Sequence, residues 1–264
     1  MKKLFIFPLL ICLILPGCGT ETNDMNEEST PAAQNTTIKG WGYRPMTDAR
    51  PEFTAEQIQD MEKNNCIYMG APDNGLYLTF DEGYENGYTG QILDVLKEKN
   101  VPAAFFITGP YLKSETALVR RMVEEGHIVG NHTNTHPSLP TITDDAALKE
   151  ELAALDREFY ALFEKPMRYL RPPKGEYNSR TLQLTKALGY TNVFWSFAYK
   201  DWDTKDQKGA QYAFDKVMSG LHGGAVILLH AVSCDNAAAL GSIIDAAREK
   251  GFAFRSLDAY VSGN

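Results

Sequence analysis

The chain has 264 residues, 44% of them hydrophobic, and a formal net charge of −8 at pH 7. That length is enough for one large α/β domain with a sizeable core. The acidic balance, with no basic stretch standing out, excludes a surface built for nucleic acid or an anionic membrane.

The first segment, "MKKLFIFPLLICLILPGC", carries two lysines, an apolar run and then Leu15-Pro16-Gly17-Cys18. Residues 1–17 read as a secretory signal peptide, too short for the roughly twenty residues of a membrane-spanning helix. The "LPGC" ending resembles a bacterial lipoprotein cleavage box. Cys18 is therefore expected to carry a lipid and hold an exported protein on the outer face of the cytoplasmic membrane; the alternative is ordinary cleavage and release. Residues 18–37 lack apolar periodicity and read as a disordered tether. Residues 38–73, with Trp41, Tyr43 and "PEFTAEQIQDMEKNN", read as an extension packing on the domain that follows. Export permits a disulfide between Cys66 and Cys234, but two small buried residues explain them as well.

From Leu76 onward two textures alternate. Strand-like runs are Leu76–Phe80, Ala103–Thr108, His127–Asn131, Tyr169–Arg171, Thr191–Phe197, Ala225–Leu229 and Ala253–Leu257. Between them lie stretches such as "GQILDVLKEKN", "ETALVRRMVEE", "DDAALKEELAALDREFYALFE" and "AAALGSIIDAAREK", apolar at three- and four-residue steps. Gly126, Gly189 and Gly251 suit left-handed helix caps, and Thr143 before two aspartates suits an N-cap. Such alternation predicts an α/β fold with about seven parallel strands and helical crossovers, closed as a barrel. An open doubly wound sheet is the competitor, but no Gly-x-Gly-x-x-Gly stretch follows a strand.

In parallel βα folds, functional groups collect at the C-terminal ends of strands. Asp81 and Glu82 end the first run, and His132 and His136 in "NHTNTH" follow the third. Arg171 opens "RPPKGEYN" after the fourth, Asp201 and Trp202 follow the fifth, and His230 ends the sixth. Two histidines with a carboxylate and open positions make a common catalytic metal site. One of the paired acids can then join a metal while the other takes a proton. Arg171 can hold a carboxylate ionised, and Asp201 can raise the pKa of His230 so that it protonates a leaving group. The plainer reading is capping acids, surface or core histidines and a surface ion pair. His127 reads as structural and His222 as helix-terminal.

With these stretches in order, the sequence resembles the polysaccharide deacetylases of carbohydrate esterase family 4, which carry the NodB-homology domain. The resemblance spans residues 74–260 and rests on "TFDEG", "HTNTH", "RPPKG", "DW" and "LLH". It implies a distorted (β/α) barrel with fewer than eight strands and one divalent metal ion (Zn, Mn, Co or Mg). Asp81 would be the general base oriented by Arg171, and His230 the general acid supported by Asp201. Glu82, His132 and His136 would be the metal ligands. Trp202 and Leu228 would line the acetyl pocket, and the Lys174 N–H would complete an oxyanion hole. Two departures stand out: Glu82 where the family usually has aspartate, and Lys174 where an aromatic is common. The form "FDEGYENGYTG" looks most like the branch that deacetylates N-acetylmuramic acid in peptidoglycan, on the route to muramic δ-lactam in spore cortex. The alternatives are an N-acetylglucosamine deacetylase and a glycan-binding lipoprotein without catalysis.

Overall fold

A computed structural model of the chain describes residues 37–46 and 49–260. The signal-peptide and lipid readings, Cys18 included, lie outside the described residues, as does all but Thr37 of the proposed tether. No helix among the described residues is long and apolar enough to cross a membrane.

In chain order the first elements are β1 (Lys39–Gly40), α1 (Ala55–Lys63), β2 (Gly75–Glu82), α2 (Thr89–Glu98), β3 (Ala103–Ile107), α3 (Gly109–Ser114), α4 (Thr116–Glu124) and β4 (Ile128–Asn131). Then come α5 (Asp145–Phe163), β5 (Tyr169–Leu170), β6 (Glu176–Tyr177), α6 (Ser179–Ala187), β7 (Thr191–Asn192), α7 (Ala210–Gly220), β8 (Ala225–His230), α8 (Cys234–Glu249) and β9 (Ala253–Phe254).

Seven strands form one parallel sheet in the order β7-β5-β4-β3-β2-β8, with β9 added beside the start of β2. The sheet curls until its ends meet. Phe197 bridges Ile227 of β8 in parallel, and Leu228 N–H donates to Phe197 O at 2.9 Å. The result is the distorted barrel the alternation predicts, with its last strand off the ring. β5, β7 and β9 are shorter than their apolar runs suggest. Past β7 the backbone changes partners at almost every residue: Val193 N–H donates to Leu170 O, Phe194 N–H to Ile67 O and Ser196 N–H to Val226 O. An extended segment that crosses between neighbours builds no continuous ladder.

Side-chain parity sorts the core into two shells. Leu76, Leu78 and Phe80 of β2, Phe105 and Ile107 of β3, and Ile227 and Leu229 of β8 join the helix-side cluster with Ile92, Leu152 and Ile244. Their neighbours Tyr77, Ala104, Phe106 and Val226 fill the inside of the barrel. α5 shows why a helix forms there: Leu148, Leu152, Leu155 and Phe159 recur on one buried stripe. Its N-cap is Asp144, whose side chain accepts from Ala147 N–H at 2.8 Å, rather than Thr143. Gly126, Gly189 and Gly251 all follow helices with φ between +85° and +91°.

Residues 39–43 brace the barrel's loops. β1 pairs antiparallel with β6, Trp41 Nε1 donates to Trp195 O at 2.8 Å, and the Tyr43 hydroxyl donates to Ala198 O at 3.0 Å. Trp41 stacks on Phe53 and packs against Tyr68 and Phe194. Cys66 and Cys234 are both free thiols, and burial pushes Cys66 up to about 12.

Gly130 of β4 lies where the barrel leaves no room. A Cβ there would stand 2.6 Å from the Phe106 ring and 3.1 Å from Tyr169 O. Gly130→Ala is expected to destabilise the fold by about 1–3 kcal/mol, measured as a lower denaturant midpoint at unchanged slope.

Candidate active site

The acids of "FDEG" part company because adjacent strand residues face opposite ways. Asp81 shares the parity of Tyr77 and Thr79 and points into the barrel mouth, where it lines a cavity of roughly 1050 Å³. Glu82 shares the parity of Leu78 and Phe80 and faces the helical layer. It is fully buried, and neither carboxylate oxygen has a hydrogen-bond partner.

The inward parity continues around the ring. Asp81 and His230 are paired in register on β2 and β8, and His132 lies one residue beyond Asn131, the last of β4. Seven of the residues singled out in the sequence line the cavity: Asp81, His132, His136, Lys174, Trp202, Leu228 and His230. Arg171 and Asp201 stand just behind it, 0% and 3% exposed. Glu82 alone is not brought to the site.

Arg171 fixes the centre. Its Nη1 donates to Asp81 Oδ1 at 2.7 Å, Nη2 to Thr79 Oγ1 at 2.9 Å and Nε to Val193 O at 3.1 Å. The guanidinium also lies 4.2 Å from the centre of the Phe106 ring. The Arg171 carbonyl pairs with His132 Nδ1 at 2.8 Å. A carbonyl only accepts, so Nδ1 carries the proton and Nε2 presents a lone pair. That nitrogen stands 3.5 Å from Asp81 Oδ2, and the His136 ring packs edge-on at 4.8 Å between centroids.

The histidine loop is held in an unusual backbone form. Thr133 and His136 have φ of 69° and 61°, which non-glycine residues rarely adopt. Local bonds keep them there: Thr133 N–H donates to Asn131 Oδ1, His136 N–H to Thr133 Oγ1, and Thr135 N–H to Glu151 Oε1. Lys174 has φ of 60° in "RPPKG".

On the other wall, His230 Nδ1 pairs with Asp201 Oδ1 at 2.7 Å, while His230 N–H donates to Asp201 Oδ2 at 2.8 Å. Sequence reasoning missed Asn236, whose amide donates to Asp201 Oδ2 at 2.6 Å. The signal available was the spacing Ser233-x-x-Asn236, a helix start directly after a polar strand end.

A polysaccharide deacetylase family model matches residues 69–193. Peptidoglycan-N-acetylmuramic acid deacetylase PdaA of Bacillus subtilis is 43% identical over 221 residues, 83% of this chain and 84% of that protein. The chain belongs to the polysaccharide deacetylase family. The solved structure of B. subtilis PdaA, a family 4 carbohydrate esterase, matches with a TM-score of 0.83 at 40% identity, over 85% of this chain and 97% of that one. A family 4 carbohydrate esterase structure from Bacillus anthracis matches with a TM-score of 0.74 at 43% identity, over 88% and 100%.

Members of this deacetylase family are generally metal-dependent. Among the described residues, no group of three or more His, Cys, Asp or Glu side chains is arranged to hold a metal ion. The two histidines nevertheless suit a cation. A lone pair on His132 Nε2 faces an anionic oxygen, an arrangement that a positive charge between them relieves.

Charge states differ around the mouth. Burial would raise the Asp81 carboxyl, but Arg171, His132 and His230 together hold it below the usual carboxylate range. Burial lowers His132 to about 4 and also lowers His136. For His230 burial pulls down, yet the Asp201 hydrogen bond and charge win and raise it. The mouth thus pairs an acid whose ionised form is favoured and two imidazoles whose neutral forms are favoured with one imidazole of raised proton affinity. Burial, then Glu85 and Asp81, raise Glu82 well above its ordinary value.

A group raised in the folded state stabilises fully below its unfolded pKa and loses that contribution as pH climbs to the folded one. Glu82→Gln removes the charge cost without changing shape. Its stability relative to the parent is expected to be near zero or slightly negative at pH 4 and to become increasingly favourable towards pH 8, read by chemical denaturation at both.

Proposed function

We propose that this deacetylase removes the N-acetyl group from peptidoglycan amino sugars, N-acetylmuramic acid foremost. The observation that carries the proposal is the in-register pair at the barrel mouth: Asp81 backed by Arg171, and His230 backed by Asp201. The likeness to PdaA across most of both chains supports the choice of sugar.

Asp81, ionised and aimed by Arg171, takes the proton from the attacking water. His132 and His136 would hold a divalent ion through imidazole nitrogens, and such an ion would supply Lewis acidity at the attacked carbonyl. Lys174 lines the same cavity, and its N–H would stabilise the charge that grows on the carbonyl oxygen. His230 gives its proton to the sugar nitrogen as the C–N bond breaks. That step matters because an amine anion is too poor a leaving group to depart unassisted. Trp202, 54% exposed, and Leu228 form apolar walls for the acetyl methyl and the sugar. Export with a lipid on Cys18 would hold the enzyme beside the glycan strands that it acts on.

Acetate release and product mass on peptidoglycan glycan strands, compared with chitooligosaccharide, test the substrate. Faster loss of acetyl from muramic acid is expected, and chelator should stop it; preference for chitooligosaccharide would overturn the assignment. Asp81→Asn and His230→Ala are each expected to lower kcat by at least about 10²-fold while circular dichroism stays unchanged. Glu82→Gln is expected to bind Zn²⁺ as tightly as the parent in calorimetry, because Glu82 faces the helical layer.

A further inference from the structure

The proton donor's wall continues past Asp201 into a second layer. Asn236 is 1% exposed and sits in the first turn of α8, where its N–H donates to the N-cap Ser233 Oγ at 3.2 Å. Its side-chain amide contacts Asp201 Oδ2 at 2.6 Å and His230 O at 3.3 Å. Both are acceptors, so the NH₂ group must face them and Oδ1 must face away. Away lies the Tyr199 hydroxyl, which donates to Asn236 Oδ1 at 2.5 Å. Burial raises the Tyr199 phenol, keeping it a donor. Tyr199 in turn lines the cavity.

We propose that Asn236, oriented by Tyr199, is a positioning residue for proton donation, holding Asp201 so that its Oδ1 stays aimed at His230 Nδ1. This rests on the reading of His230 as the general acid. Asp201 Oδ2 has two donors, the His230 N–H and the Asn236 amide, and together they fix the plane of the carboxylate. With one donor left, the carboxylate can turn about its Cβ–Cγ bond, and the short contact at Nδ1 is no longer enforced. The other charged groups facing His230 are Asp81, which raises its proton affinity, and Arg171, which lowers it. Neither depends on Asn236, so loss of the amide acts through Asp201.

The test follows the His230 imidazole by NMR titration alongside the pH profile of acetate release, in the parent, Asn236→Ala and Tyr199→Phe. In Asn236→Ala the His230 midpoint is expected to fall by about half a pH unit or more. The alkaline limb of kcat should move down with it, a loss of about threefold on that limb, while KM is unchanged. Tyr199→Phe removes a single oxygen, so it decides the question if Asn236→Ala fails to fold; a smaller shift in the same direction is expected. An unmoved His230 midpoint in the folded variants would overturn the positioning role. A shifted midpoint with an unmoved activity profile would support the positioning of His230 and overturn its reading as the acid.

Discussion

The barrel is organised around one buried ion pair, Arg171 with Asp81. Taking a guanidinium and a carboxylate out of water costs several kcal/mol for each ion, and the attraction between them recovers it only when the remaining donors are also satisfied. Here they are. Arg171 reaches a carboxylate and a hydroxyl on β2 and two carbonyls on the segment beyond β7, and it lies against Phe106 of β3. One side chain thus ties three stretches of chain across the barrel axis. Its own carbonyl sets the tautomer of His132, so the orientation of Asp81 and the lone pair of the neighbouring imidazole share one anchor.

That anchor explains how similar groups come to hold different charges within one mouth. Asp81 and Glu82 are neighbours in sequence with opposite surroundings: the first meets a cation, the second is buried on the helix side near other acids and meets no cation. The three histidines divide in the same way. Burial lowers the proton affinity of His132, whereas at His230 burial is outweighed by Asp201 pressed against it and the affinity rises. Separation of this kind is what acid–base chemistry at neutral pH requires, and the fold supplies it by placement rather than by residue type.

Much of this was legible in the chain itself. Parallel strands covered on both faces read as apolar runs, so most strands followed from those runs and the mouth from the polar residues at their ends. Glu82 shows the limit of reading by motif. Its even spacing from Leu76, Leu78 and Phe80 already placed it on the helix side, while a family pattern placed it with the histidines. The left-handed forms of Thr133, His136 and Lys174 had no such signal, because none of the three is a glycine and the bonds that hold the first two come from side chains within the loop, Asn131 and Thr133. Asn236 escaped because its partner Asp201 lies 35 residues away: the Ser233-x-x-Asn236 spacing marks a helix start but not the contact.

Trp41 and Tyr43 carry a further meaning. The match to the family model starts at residue 69, yet the carbonyls of Trp195 and Ala198, on the segment that walls the cavity, are satisfied by side chains from before that point. The heritable motif and the mechanically complete unit therefore have different edges. Any chimera or minimal version that begins at residue 69 would keep every candidate site residue and lose the struts beneath one wall of the groove. In this fold, the working part begins about thirty residues before the recognisable one.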